Sequence, residues 1–172
     1  MRPLVRKLAL TTHVTSSVGW LGAVAAFFAL AVTGLTTDDL AMARGAYLAM
    51  ELVAWAIIVP FGLASLLSGL IQGLGTSWGL FRHYWVVIKL VLTVLATAIL
   101  LLHMHPIGHL ARAAEEARLS GGELAGLRIQ LVADAGAALL VLAVNTTLSV
   151  FKPRGMTRYG RRKLREERGA AQ

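Results

Sequence analysis

Four long apolar stretches constrain this chain more than any motif does: about Leu8 to Leu35, Tyr47 to Gln72, Tyr84 to His105 and Ile129 to Phe151. Each is longer than the ~20 residues an α-helix needs to cross a bilayer core about 30 Å thick. Within lipid every backbone N–H and C=O must be bonded internally, so such runs fold as helices; a closed β-barrel would need an alternation they lack. The chain is 56% hydrophobic, against about 45–50% for ordinary soluble domains. Its charged residues are 15% of the total and gather at segment ends and in one tail. The reading is an all-α integral membrane four-helix bundle over residues 1–151, followed by a basic tail over 152–172.

The ends of the stretches predict local detail. The first follows Arg2, Arg6 and Lys7 as a secretory signal would. It is too long for one and is interrupted by Thr11, Thr12, His13, Ser16 and Ser17, so it reads as an uncleaved helix. Asp38 or Asp39 caps the second helix, and Pro60 near its centre predicts a kink. Pro106 and Gly108 are expected to stop the third, and Pro153 follows the end of the fourth. Between the third and fourth, Ala111 to Arg118 has helix-forming composition and an Arg112/Glu116 spacing. This predicts a short amphipathic surface helix ending near Gly121 and Gly122. Gly73 to Ser77 reads as a tight, mobile loop.

Basic residues set the expected orientation. The N-terminal segment, the Arg82 loop and the Lys152–Arg168 tail together hold twelve Lys and Arg. Arg44, Arg112, Arg118 and Arg128 give four on the other side. The positive-inside rule places both termini in the cytoplasm, as for a multi-pass protein of a plasma (inner) membrane. The tail supplies most of the net charge of +8, and such a run beside a last helix is expected to contact anionic lipid. Its one aromatic, Tyr159, gives no stacking platform, so nucleic acid is not an expected partner. The chain has no cysteine, which excludes disulfides, thiolate nucleophiles and thiolate-held metals.

Helical phase then singles out candidate residues. Lys89 and His103 stand fourteen residues apart, about 40° around one helix axis. On the fourth helix Asp134 and Asn145 differ by about 20°, and on the first His13, Ser17 and Trp20 form one stripe. Glu51, Ser65 and Gln72 lie within about 60° on the second. One polar stripe per span is what a bundle with a polar interior requires. Running the helices alternately across the membrane gives an outer layer of Glu51, His103 and Asp134. An inner layer of His13, Gln72, Lys89 and Asn145 lies about 21 Å away along the third helix.

Each stripe also has a purely structural reading. Lys89 can snorkel to the headgroups, His13 can bond Thr12, Ser16 or Ser17 at the interface, and the outer trio can pair as glue between helices. His83 and His105, on the opposite face from Lys89, read as end residues facing headgroups, and His109 as a loop residue. The spacings Gly19/Ala23, Gly22/Ala26, Ser65/Gly69 and Gly69/Gly73 predict close packing within the bundle and, secondarily, a homodimer interface.

The segment His13-Val14-Thr15-Ser16-Ser17-Val18-Gly19-Trp20-Leu21-Gly22 resembles the first helix of the copper-resistance D and HemJ-type membrane proteins. Lys89, in Trp85-Val86-Val87-Ile88-Lys89-Leu90, resembles the lysine of their third helix. The chain is similar to an uncharacterised group of four-span membrane proteins in that broad set. The resemblance implies a bundle that holds b-type haem, a porphyrin or copper. It also implies protoporphyrinogen oxidation with His13 and Lys89 as functional residues, or copper transport. The chain departs from both patterns by lacking a second inner histidine and by adding Glu51, His103 and Asp134.

Two functional expectations follow. A haem b or porphyrin-type cofactor would use His13 as axial ligand, Lys89 against a propionate, Asn145 in the same layer, and Trp20, Val24 and Phe27 as walls. Alternatively, Glu51, His103 and Asp134 would hold a divalent metal such as copper or zinc, or relay protons, in a membrane transporter. A third reading is an accessory subunit whose polar stripes only specify packing.

Overall fold

The fold is described from a computed structural model covering residues 3–75, 80–116, 122–153 and 155–169. The described residues are almost entirely helical: α1 (Pro3–Thr36), α2 (Leu40–Val53), a π-helical turn (Ala54–Ile58), α3 (Val59–Gly75), α4 (Tyr84–Glu115), α5 (Gly122–Phe151) and α6 (Arg158–Gly169). Four helical units among them, with α2, the π turn and α3 counted as one, are long and apolar enough to cross a membrane. The chain is a multi-pass membrane protein.

α1 packs along α2 and α3 on one side and along α5 on the other, and α4 closes the ring between α2/α3 and α5. The inward stripe of α1, Ser16, Trp20, Val24, Phe27, Ala31 and Gly34, recurs every three or four residues as a helix face must. It meets Tyr47, Met50, Ala54 and Ile58 from the second unit and Leu131, Ala135 and Leu142 from α5. Outward rows stay apolar: Leu102 and Leu140 are 74% and 70% exposed, which suits lipid and not water.

Glycines set two of the close approaches. A Cβ on Gly34 would lie 2.7 Å from Tyr47 Cζ, and one on Gly19 would lie 2.8 Å from the Phe61 ring. Gly69 seats the His13 imidazole, whereas Gly22 faces open space, so the Gly22/Ala26 spacing does no packing inside the bundle.

Asp39 caps α2 as expected, accepting from the N–H groups of Ala41 and Met42 at 2.8 and 3.4 Å. Pro60 has no N–H for the carbonyl four residues before it. The chain absorbs the loss in the π turn just upstream, where the Val59 N–H bonds Ala54 O.

The expected stop at Pro106 does not occur. α4 runs through Pro106 and Gly108 to Glu115, because Met104, Ile107, Leu110, Ala111 and Ala114 repeat at helical spacing and are buried. That burial outweighs the one hydrogen bond a proline removes, and the segment from Ala111 is the last turn of α4 instead of a separate helix. The rest of the predicted surface helix, from 117, lies outside the described residues. Gly73 to Gly75 likewise belong to α3, and the remainder of that predicted loop is outside the described residues.

The basic tail expected from sequence contains a further helix, α6. Thr157 caps it, its Oγ1 accepting from the Gly160 N–H at 3.0 Å, and ties it to the 80–84 loop by donating to Phe81 O at 2.5 Å. Backbone bonds from Thr157 N to Arg82 O and from Tyr84 N to Gly155 O complete the attachment. Glu167 pairs with Arg82.

Candidate functional site

Two polar seams face one another inside the ring. On the α1–α3 side, the His13 Nδ1–H points at Ser65 O (3.0 Å) and Ser68 Oγ (3.1 Å), and Ser17 Oγ meets Ser65 Oγ at 2.7 Å. A carbonyl only accepts, so Nδ1 carries the proton and, in the neutral ring, Nε2 bears the free lone pair. The imidazole thus bonds across to α3, while within α1 the Ser16 hydroxyl donates to His13 O at 3.2 Å.

On the α4–α5 side, Lys89 Nζ donates to Ser149 Oγ, whose own proton goes to Asn145 O at 2.9 Å. Lys89 therefore bonds across to α5, close to the end of that helix. Asn145 Nδ2 donates to Thr93 Oγ1 at 2.8 Å, and the Thr93 hydroxyl in turn donates to Lys89 O at 2.8 Å. Asn145 is only 9% exposed, and its Oδ1 is buried without a hydrogen-bond partner. Such an orphan acceptor in a native interior calls for water or a ligand group.

Between the seams is a cavity of about 40 Å³, lined by His13, Trp20, Lys89 and Asn145 together with the seam hydroxyls. The inner grouping expected from helical phase thus comes together, except that Gln72 reaches Ala9 O at 3.2 Å and lies off the cavity. The volume holds about three water molecules. Val24 and Phe27, the other expected porphyrin walls, are packed into the hydrophobic core instead.

The outer trio is split. His103 Nδ1–H donates to Ile99 O at 2.8 Å, and its Nε2 lies 2.9 Å from Asp134 Oδ2. That contact is off the hydrogen-bonding direction, and Oδ2 has no other partner. Glu51 lies elsewhere, over Gly108, where an added Cβ would be 3.2 Å from its Oε1 and 3.6 Å from Arg112 Nη1. Gly108 is five residues from His103, about 140° around α4, so Glu51 and Asp134 approach that helix from different sides. Among the described residues, no three His, Asp or Glu side chains are arranged to hold a metal ion.

Sequence reasoning missed Ser68, the second partner of His13, and three further residues. Thr93 and Ser149 stand four residues after Lys89 and Asn145, so the signal was present as i,i+4 polar pairs. Arg128, read only as an orientation charge, ties α5 to α1 and α2. Its Nε donates to Tyr47 Oη at 2.6 Å and its Nη2 to Gly34 O at 2.5 Å, with the guanidinium 5.6 Å from the Tyr47 ring centre. Gly34 O, and Leu35 O at 3.4 Å from the same nitrogen, are among the last carbonyls of α1, where the helix dipole favours a cation. Nothing in the local sequence announces that meeting.

The chain matches no family model, no curated protein and no solved structure. The copper-resistance D and HemJ-type resemblance therefore rests on the His13–Gly22 and Trp85–Leu90 segments alone.

Proposed function

We propose that this is a proton-coupled membrane transporter of a plasma (inner) membrane, with both termini cytoplasmic, and that the cavity between His13 and Lys89 is its proton site. One observation carries the reading. An imidazole with a free Nε2 and an ammonium, from facing helices, open onto the same water-sized polar space beside the unpartnered Asn145 Oδ1. Water there can accept from Lys89, donate to Asn145 Oδ1 and donate to His13 Nε2, which makes a path for a proton between two titratable groups. Charged groups are costly inside a membrane and are kept where ions or protons pass.

His103 and Asp134 approach to 2.9 Å between the same two helices, about 21 Å further along α4 toward the other surface. Orientation is supported by the excess of Lys and Arg at the end that carries the 80–84 loop and α6. A porphyrin has in its favour the free Nε2 of His13, but Val24 and Phe27 are packed into the core and do not wall the space beside it, and no step is assigned to one.

The test is charge movement after a pH jump on proteoliposomes adsorbed to a capacitive electrode, which reports proton binding within the membrane even without turnover. Wild-type protein is expected to give a transient current that Lys89→Met and His13→Gln diminish. A wild-type signal equal to that of empty liposomes overturns the reading.

A further inference from the structure

α6 has two unlike faces. Gly160 is buried against the Arg82 backbone, and Glu167 pairs with the Arg82 side chain, so this side of the helix is sealed onto the 80–84 loop. Arg158, Arg161, Arg162, Arg165 and Arg168 occupy an arc of about 120° on the same helix, all exposed. The centre of that arc lies about 140–160° from Gly160 and Glu167. Of the five, only Arg162 has an acidic partner among the described residues, Glu166 at 3.4 Å on the flank of the arc. The remaining basic residue, Lys163, lies off the arc and also pairs with Glu166, at 3.3 Å.

Position supplies the second observation. α6 begins a few residues after α5 ends at the lipid-exposed Val150 and Phe151. Tyr84 and Tyr159 are exposed at the same end, and tyrosines of this kind mark the headgroup level of a bilayer. The backbone bonds to residues 82 and 84 fix α6 to the start of α4 and so hold the arc at that level.

We infer that the arginine arc of α6 is a binding face for the headgroup phosphates of anionic lipids in the adjoining leaflet. Arginine pairs bidentately with phosphate, and each basic residue near an anionic surface strengthens attachment by roughly fivefold. The face is independent of the proton site and stands or falls separately.

The chain has no cysteine, so Gly169→Cys, on the same arc and with open space around it, carries a unique spin label. The full-length protein is placed in nanodiscs of phosphatidylcholine alone or mixed with phosphatidylglycerol. The label is expected to lose mobility and access to water-soluble relaxants as phosphatidylglycerol increases, and to regain both at ~1 M salt, where screening acts within about 3 Å. R158Q/R161Q/R165Q is expected to weaken the response on the order of a hundredfold, leaving the label mobile at every lipid ratio. Equal wild-type spectra in the two bilayers overturn the inference, as does an undiminished response in the triple variant. So does equal immobilisation in neutral discs by inorganic phosphate or by an RNA oligonucleotide.

Discussion

The bond from Asn145 Nδ2 to Thr93 Oγ1, 2.8 Å long, decides which way the buried amide faces. Thr93 spends its own proton on Lys89 O, so only the amide nitrogen can face it, and Asn145 Oδ1 is left unpartnered beside the cavity. Two hydroxyls, those of Thr93 and Ser149, are thus committed to backbone carbonyls one turn back and present lone pairs to Asn145 and Lys89.

Thr93→Val keeps the shape and removes that acceptor. The buried Nδ2 loses its partner, which costs about 1–3 kcal/mol. Thermal unfolding in detergent is expected to show the loss, and Thr93→Ser, which restores the hydroxyl, to recover most of it.

Arg128→Ala breaks the ties to Tyr47 and to the final carbonyls of α1, and is expected to cost about 3 kcal/mol, since bonds from charged donors are worth about 1.5–3 kcal/mol each before neighbours relax. Arg128→Lys is not expected to rescue it, because a single ammonium cannot replace the planar fork. A double-mutant cycle with Tyr47→Phe checks the coupling, which additive losses would refute.

Two glycines on α1 should behave oppositely. Gly34→Ala drives a methyl into the Tyr47 ring and is expected to destabilise by about 1–3 kcal/mol. Gly22→Ala meets nothing within 4 Å and is expected to be neutral or slightly stabilising. Melting curves of the two variants side by side test the packing of α1 against α2.

Much of this architecture was legible in the chain. Long apolar runs admit only helices in lipid, and the phases of His13, Lys89 and Asn145 on three helices anticipated the inner cavity they share. The outer trio is not brought together, because phase along one helix does not say which neighbouring helix its stripe will meet. Glu51 and Asp134 lie at similar levels on paper, yet they reach α4 from different sides. Pro106 misled for a related reason: a proline signals one lost bond, whereas Met104, Ile107, Leu110 and Ala114 bury a continuous face around it. Arg128 and Tyr47 were invisible as a pair because 81 residues separate them and neither belongs to a motif.

The cavity volume makes a prediction about colour. Protein purified from cells supplied with haem precursor is expected to show no Soret band, because the proposed site between His13 and Lys89 holds water and not a porphyrin. A stoichiometric Soret band lost in His13→Ala would restore the porphyrin expectation and require α1 and α4 to part.

The most direct measurement of the central claim compares wild type, Lys89→Met and Lys89→Arg in the pH-jump experiment on proteoliposomes. Proton binding between His13 and Lys89 predicts a transient current in wild type. Lys89→Met should lower its amplitude several-fold. Lys89→Arg, which keeps the charge and cannot release its proton, should lower it to the same extent. An Arg variant indistinguishable from wild type would contradict the account, since Lys89 would then serve only as a fixed charge.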